Sequence, residues 1–442
     1  MKILFISLGC DKNLVDTEEM LGKLCENSDI SFTDDEMEAD VIIINTCCFV
    51  NDAKEESINT IIEMAEHRTH GRCRSLIVAG CLAQRYKSEI LKEIPEVDAV
   101  IGTASTDAIL DIVNRLQKDE DNIEVYNPLD MPVSADKKRI LTTGGHYAFL
   151  KIAEGCNKCC SYCVIPSIRG KYRSIPMEQL VHKAQELADG GVKELILVAQ
   201  ETTMYGVDIY NKKMLPELLE KLCAIKGLYW IRILYCYPEE ITDELIQVIK
   251  NQDKICNYLD IPVQHAADNV LKNMKRRATL AQLTDTIGRL REEIPDIVLR
   301  TTLISGFPGE TEEDHEILKK FVEDMRFDRL GVFAYSPEEG TEAAEMENQV
   351  DENIKEERRD ELMSIQQDIA FEMSESRIGR EMLVMIEGKL TNENAYVGRT
   401  YMDAPGVDGN IFITTDADLM TGDFVKVKVT GAVEYDLIGE IL

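Results

Sequence analysis

Apolar runs alternate with amphipathic segments along the first 117 residues of the chain. Four runs are apolar at nearly every position, which is typical of strands buried on both faces of a parallel sheet. They lie at 2–8, 41–46, 75–80 and 99–102. Segments such as 52–66 and 106–116 between them carry the apolar period of a helix. The alternation predicts a doubly wound parallel α/β domain over residues 1–117.

A polar stretch at 118–141 contains two prolines and no clear period, so we interpret it as a linker. A second alternation of strand and helix patterns then occupies 142–376. Its six strand candidates are 147–153, 194–199, 229–235, 258–263, 297–304 and 329–334. Six βα units are too few to close an eight-fold barrel, and they predict an open, partial (βα)6 barrel.

The pattern changes again over residues 377–442. Short strand-like runs are separated by turn signals such as Asp408-Gly409 and Thr421-Gly422, and no segment has a helix-length period. This part of the chain is predicted to form a small OB-like β-barrel.

Composition narrows the class of protein. The chain is 44% apolar, which is enough to build a core and excludes a disordered protein. No apolar run reaches the roughly 18 residues of a membrane span, so channels and transporters are excluded. The run that ends at Cys10 is interpreted as a strand rather than an export signal. Thirteen cysteines then indicate a reducing, cytoplasmic location, where cysteines more often bind metals than form disulfides.

Charge bears on the partners of the protein. The chain has 49 basic and 81 acidic residues, a net charge of -32, and this charge repels nucleic acid phosphates. Residues 377–442 alone have 6 basic and 11 acidic residues, or -5. A basic protein is therefore the favoured partner, and we expect the acidic terminal barrel to face it.

Three cysteines at 156, 160 and 163 form a Cys-x3-Cys-x2-Cys motif on one short loop. Three thiolates at this spacing can hold three irons of a 4Fe-4S cluster and leave the fourth iron open to a substrate. Cys159 allows a second interpretation, in which the pairs 156/159 and 160/163 bind zinc. Adjacent thiols fit poorly into one tetrahedral site, so the cluster is favoured.

Three further cysteines each end a predicted strand of the first domain: Cys10, Cys47 and Cys81. The carboxyl ends of parallel strands meet at one edge of the sheet, so these thiols can converge on a shared metal site. Cysteine is also common as a buried filler, which is the competing interpretation. Cys48 is an alternative to Cys47, but Cys47 follows its strand directly.

These motifs resemble those of the methylthiotransferases of the radical S-adenosylmethionine superfamily, whose carboxyl-terminal module is a TRAM domain. The resemblance covers nearly every domain and is closer to the members that modify a ribosomal protein than to the MiaB-like members that modify tRNA. The stretches that carry it are SLGCDKNLVDTE from Ser7, NTCCFVNDAKEESI from Asn45, LKIAEGCNKCCSYCVIPSIRG from Leu150, YLDIPVQHA from Tyr258, ISGFPGETEED from Ile304 and FAYSPEEGT from Phe333.

The resemblance implies two 4Fe-4S clusters and S-adenosylmethionine as cofactors. Cys10, Cys47 and Cys81 would hold an auxiliary cluster, and Cys156, Cys160 and Cys163 the radical cluster. Glu201 ends the second barrel strand, where a carboxylate suits the ammonium group of S-adenosylmethionine. Gln200 beside it and Gly306, which lets backbone approach closely, are the other candidates for binding this cofactor.

The implied reaction is β-methylthiolation of an aspartate in the twelfth protein of the small ribosomal subunit, with an electron donor such as flavodoxin or ferredoxin. The alternative is the same chemistry on a tRNA adenosine, which the acidic charge disfavours. A third alternative, an electron carrier with two clusters, does not explain the size of the barrel domain.

Overall fold

In the computed structural model, which describes residues 1–391 and 394–442, the first part of the chain forms a six-stranded parallel sheet. The strand order is β2-β1-β3-β4-β5-β6, which confirms the predicted doubly wound fold. The strands are β1 (Lys2–Ser7), β2 (Ser31–Phe32), β3 (Val41–Thr46), β4 (Ser75–Gly80), β5 (Ala99–Ile101) and β6 (Ile123–Val125). The helices are α1 (Asp11–Leu24), α2 (Asn51–Ala65), α3 (His67–His70), α4 (Cys81–Tyr86), α5 (Ser88–Glu93) and α6 (Ile109–Leu116).

Strand β6 lies inside the segment 118–141 that the sequence predicts to be a linker, and it joins residues 123–125 to the first sheet. The strand pairs in parallel with β5, with Ala99 opposite Ile123. Only Ile123 of its three residues is buried, and a strand with one buried position leaves no apolar run in the sequence.

The second part of the chain forms another six-stranded parallel sheet, in the order β14-β13-β12-β11-β10-β7. All six predicted strands are present, which confirms the partial barrel. The strands, with the short pair β8 and β9, are β7 (Tyr147–Lys151), β8 (Ala153–Glu154), β9 (Arg173–Ser174), β10 (Glu194–Val198), β11 (Trp230–Ile233), β12 (Ile255–Asp260), β13 (Val298–Ser305) and β14 (Arg329–Ala334).

Helices cover the outer face of this sheet, because alternate strand residues are apolar toward them and form one continuous core with them. The helices of this part of the chain are α7 (Ile165–Arg169), α8 (Met177–Asp189), α9 (Val207–Tyr210), α10 (Leu215–Cys223), α11 (Asp243–Asn251), α12 (Asp268–Asn273), α13 (Leu280–Glu293), α14 (Glu312–Met325) and α15 (Glu352–Glu375). Among them, α7 packs through Ile168 into the core of the first domain instead.

The last part of the chain forms the predicted small β-barrel, closed in the order β15-β16-β17-β19-β18. Its strands are β15 (Glu381–Lys389), β16 (Ala395–Arg399), β17 (Ile411–Thr414), β18 (Phe424–Val433) and β19 (Asp436–Ile441).

This terminal barrel packs against the amino ends of the central strands. Phe424 stacks on Tyr229, just before β11, with ring centroids 4.9 Å apart. Arg399 binds Glu194, the first residue of β10, at 2.7 Å, and both side chains are buried. The opposite, carboxyl ends of the central strands remain available for a site.

No helix within the described ranges, 1–391 and 394–442, combines the length and apolarity needed to cross a membrane.

Candidate active site at the facing sheet edges

The cysteine loop follows β8 at the carboxyl end of the first central strand and leads into α7. Gly155 begins it with φ +80°, and a Cβ there would lie 2.2 Å from the carbonyl oxygen of Lys171, so only glycine fits. Cys156 and Cys160 are buried, whereas Cys159 is exposed. The exposure of Cys159 supports the 156/160/163 register over the zinc pairs.

The three thiols of this loop influence one another. Burial raises the pKa of Cys156 to about 11, and Cys160 adds to the shift. Burial raises the pKa of Cys163 to about 12, with further contributions from Cys160 and Cys156. Burial and neighbouring thiols keep such cysteines protonated. They lose their protons when bound metal cations compensate the negative charge of the thiolates, and the irons of an iron-sulfur cluster are such cations.

The second cysteine group lies at the carboxyl edge of the first sheet, as predicted. Cys10 caps the start of α1, Cys47 follows β3 and Cys81 begins α4. Burial raises the pKa of Cys81 to about 12, and the nearby Cys10 and Cys47 add to the shift. A Cβ on Gly9 would lie 2.9 Å from Cys47 Sγ, so Cys47 faces the Cys10 turn.

Cys48 takes a different environment from Cys47. It is fully buried in the core of the first domain, where its thiol lies beside the guanidinium of Arg85. Its position supports Cys47 as the member of the second group.

Single metal ions and iron-sulfur clusters require different spacings between their ligands. Among the residues that the structure describes, no three His, Cys, Asp or Glu side chains lie close enough to share one ion. The ligands of a 4Fe-4S cube bind separate irons and therefore stand further apart than the ligands of one ion. All thirteen cysteines, each within the described ranges, are free thiols.

Arg169 connects the two cysteine groups, and sequence reasoning missed it. It is the last residue of α7, the helix that starts just after Cys163. Its guanidinium Nη2 lies 3.4 Å from Cys81 Sγ, and Nη1 donates to Asp16 at 2.6 Å and to Glu154 at 3.3 Å. One buried cation thus ties the radical-cluster loop to the auxiliary cysteines.

Two tyrosines just beyond β11 make a second connection, also missed in the sequence. The Tyr237 hydroxyl lies 3.7 Å from Cys160 Sγ. The Tyr235 hydroxyl donates to Asp11, next to Cys10, at 3.0 Å. The two cysteine groups therefore face each other across the end of one barrel strand.

Glu201 lies at the carboxyl end of β10, buried, with Lys158 Nζ 3.6 Å from its Oε1. That oxygen has no hydrogen-bond partner among the described residues. Burial raises the pKa of the Glu201 carboxyl to about 7, although Lys158 opposes the shift. A buried carboxylate with an unused acceptor fits the predicted ammonium ligand.

Gln200 and Gly306 are the other two predicted cofactor residues. Gln200 Nε2 donates to Glu154 at 2.9 Å, while its Oε1 has no partner within the described ranges. Gly306 has φ +70°, and a Cβ there would lie 2.2 Å from Cγ of Lys355. Because α15 packs closely against this position, a glycine is required here whether or not a cofactor binds. Contact of Gln200 or Gly306 with a cofactor stays a prediction.

Three family models match the chain: the Radical SAM superfamily over 150–322, the Uncharacterized protein family UPF0004 over 2–102 and the TRAM domain over 378–442. "Ribosomal protein uS12 methylthiotransferase RimO" from Lachnoclostridium phytofermentans is 62% identical over 99% of both proteins. The proteins of the same name from Clostridium botulinum and Acetivibrio thermocellus are 49% and 50% identical, each over 100% of this chain and 98% of the relative.

Two solved structures are similar to this chain in fold. The radical S-adenosylmethionine methyltransferase TsrM from Kitasatospora setae has a TM-score of 0.56 at 12% identity and covers 78% of this chain and 77% of its own. The cobalamin-dependent radical enzyme OxsB has a TM-score of 0.53 at 13% identity and covers 83% and 56%. At these identities the similarity shows the fold alone.

Proposed function

The chain belongs to the ribosomal protein uS12 methylthiotransferase (RimO) family, and on that premise we propose that its two cysteine groups hold the clusters with which it modifies ribosomal protein uS12. It is a radical S-adenosylmethionine transferase that uses 4Fe-4S clusters and S-adenosylmethionine. The observation that supports the proposal most is the placement of two separate cysteine groups at facing sheet edges, joined through Tyr235 and Tyr237.

Each cysteine group has its own task in this proposal. Cys156, Cys160 and Cys163 would hold the radical cluster, and a set of only three protein ligands would leave it open to S-adenosylmethionine. Cys10, Cys47 and Cys81 hold the auxiliary cluster. When bound and reduced, the radical cluster would supply the electron that cleaves S-adenosylmethionine. The auxiliary cluster would supply the site from which sulfur is delivered.

The protein's own side chains prepare this site. Glu201 accepts the ammonium group of S-adenosylmethionine with its unused oxygen. Arg169 offsets negative charge at Cys81. The half-buried aromatic rings of Tyr235 and Tyr237 limit the access of water to the space between the cysteine groups, where a carbon radical needs protection.

The target is the β-carbon of an aspartate in uS12, and the electron comes from a small carrier such as flavodoxin or ferredoxin. A ribosomal protein substrate places the reaction in the cytoplasm. Ribosomal proteins bind RNA and are basic, so they complement a chain with a net charge of -32. A tRNA substrate, the alternative, would meet phosphate repulsion instead.

Exposed acidic residues lie close to both cysteine groups, on the loop after β14 and on α2, which begins four residues after Cys47. Arg85 holds Glu338 at 2.9 Å, and the Ala343 amide donates to the Ser161 carbonyl at 2.8 Å, so the loop after β14 lies against the cysteine loop. We call the exposed carboxylates of this loop and of α2 the acidic rim: Asp52, Glu55, Glu56, Glu339, Glu345 and Glu347.

The terminal barrel is on the other side of the molecule. Gly422 accepts from Lys193, just before β10, at 2.7 Å, so the loop with Asp416 and Asp418 lies near the amino ends of the barrel strands. The rim, rather than the predicted acidic barrel, is therefore the docking surface that we propose for uS12.

Reversing the rim charges Glu345→Lys and Glu347→Lys should weaken uS12 binding about tenfold at low salt, since each lost attraction is worth up to about 1 kcal/mol. The difference from the unmodified enzyme should shrink as salt shortens the Debye length. An anaerobic titration of the cluster-loaded enzyme with uS12 measures both effects.

The matched control is Asp416→Lys with Asp418→Lys, which changes the same number of exposed charges at the opposite end and should leave uS12 binding nearly unchanged. Bulk tRNA serves as the competing substrate in both titrations. Tighter tRNA binding by the rim variant together with faster tRNA methylthiolation would defeat the uS12 proposal.

Glu201→Gln should weaken S-adenosylmethionine binding about tenfold or more, because a hydrogen bond to a charged group contributes about 1.5–3 kcal/mol. The pKa of about 7 means that the free carboxyl is protonated below neutral pH. Affinity of the unmodified enzyme should therefore fall from about pH 8 to about pH 6, while that of the variant should stay flat. Equilibrium binding across this pH range measures both.

Glu240→Gln is the control for this experiment, since Glu240 also binds Lys158, at 2.6 Å, but lies after β11. It should retain a pH dependence, with the midpoint moved to lower pH, because the Glu240 charge contributes to the raised pKa of Glu201. Equal affinity of the unmodified and Glu201→Gln enzymes at every pH would remove Glu201 from the cofactor site.

A further inference from the structure

Lys12 is a buried cation without a carboxylate partner. The residue has an exposed fraction of 7%. No carboxylate oxygen of an Asp or Glu among the described residues lies within 4.0 Å of its Nζ. Lys355, another buried lysine, pairs with Glu352 at 2.8 Å. A buried ammonium group ordinarily has such a partner, so Lys12 has the character of a binding group that awaits an anion.

Lys12 also lies between the two cysteine groups. It follows Cys10 by two residues in the first turn of α1. Its Nζ is 3.3 Å from the centroid of the Tyr235 ring. Two residues further along, Tyr237 contacts Cys160, so the path from Cys10 to Cys160 passes the Lys12 ammonium group.

The reaction places its substrate in the same space. Hydrogen is removed on the radical-cluster side and sulfur arrives from the auxiliary side, so the target carbon must lie between the groups. In an aspartate that carbon is bonded directly to the carboxylate carbon. A carboxylate brought into this buried space without a cation would pay a large desolvation cost.

We propose that Lys12 binds the carboxylate of the substrate aspartate and thereby sets the specificity of the enzyme for an acidic side chain. The inference rests on the proposed function and names the residue that recognises its substrate. The ring of Tyr235 holds the ammonium group in place through a cation-π contact.

Arg276 is another buried cation near the site that has no carboxylate partner among the described residues, but it lies on the opposite side. Its guanidinium lies 4.1 Å from the Tyr237 ring centroid, and its Nε and Nη1 have no hydrogen-bond partner within the described ranges. Tyr237 contacts Cys160, so Arg276 belongs to the radical-cluster side. We therefore assign the carboxylate of the substrate aspartate to Lys12.

The test compares two substrates, uS12 with its target aspartate and uS12 with that residue changed to asparagine. The unmodified, cluster-loaded enzyme should bind the aspartate form about tenfold more tightly. Lys12→Met keeps the length of the side chain without its charge, and it should bind both forms equally. Lys12→Arg should keep most of the preference. Iron content of each variant, which should stay near that of the unmodified enzyme, is measured alongside.

If the unmodified enzyme methylthiolates uS12, the proposed function stands, and two results would still overturn the role of Lys12. One is an undiminished aspartate preference in Lys12→Met. The other is loss of iron from that variant, which would make Lys12 a partner of the auxiliary cluster. Failure of the unmodified enzyme to modify uS12 at all would overturn the proposed function itself.

Discussion

Changing Cys10, Cys47 and Cys81 to Ala should reduce methylthiolation of uS12 to background while the enzyme still cleaves S-adenosylmethionine under reduction. The reason is spatial: these thiols belong to the first sheet, whereas the cofactor site is built on the central one. Chromatography of 5'-deoxyadenosine and mass spectrometry of uS12, on the same anaerobic reaction, measure the two activities separately.

Cys48→Ala provides the control for this variant, because Cys48 is adjacent to Cys47 but is not one of the three proposed ligands. It should retain both activities. If the triple variant still completed methylthiolation, the second cysteine group would be structural and the proposed sulfur-delivery site would be wrong.

Changing Cys156, Cys160 and Cys163 to Ala should have the larger effect, since it removes the only proposed source of the radical. Both 5'-deoxyadenosine and methylthiolated uS12 should fall to background. Iron should fall from about eight to about four atoms per chain, because the auxiliary cluster has its own ligands. Iron analysis after anaerobic reconstitution, with circular dichroism to confirm folding, measures the change.

Cys159→Ala is the matched control for this loop, since Cys159 is exposed and should be dispensable for iron and for cofactor cleavage. Retention of all iron in the triple variant, or loss of all of it with the fold intact, would contradict two independent sites. Loss of half of the iron from Cys159→Ala would instead favour a different register of ligands.

The cysteines could be found from the sequence because of what precedes them. Strands β3 and β4 are buried at every position, so their ends, and the cysteines Cys47 and Cys81 that follow, are visible in the apolar pattern. Their convergence follows from parallel pairing alone. By contrast, β2 has two exposed residues and left no such pattern.

The connecting residues could not be found in this way. Arg169 reaches Cys81 across 88 positions of the chain, and Tyr235 reaches Asp11 across 224. Such contacts depend on how two sheets pack against each other, which no local period encodes. In the sequence, Lys12 is one charged residue among many. The absence of a carboxylate partner becomes apparent only from the positions of its neighbours in the structure.

The position of the terminal barrel also could not be predicted from the sequence. Its net charge of -5 suggested a docking surface for a basic partner, but charge does not tell which end of the central barrel it covers. Contacts such as His146 with Glu387, at 2.8 Å, place it on the amino ends of the strands. The acidic rim near the cysteine loop became evident from the fold alone.

The central claim, that this enzyme methylthiolates an aspartate of uS12, is tested most directly by mass spectrometry of ribosomal proteins and tRNA from cells with and without this chain. We expect a methylthio group on one aspartate of uS12 only when the chain is present, with tRNA unchanged. Unmodified uS12 in cells that make the chain, with a methylthio group gained by tRNA adenosine instead, would contradict it.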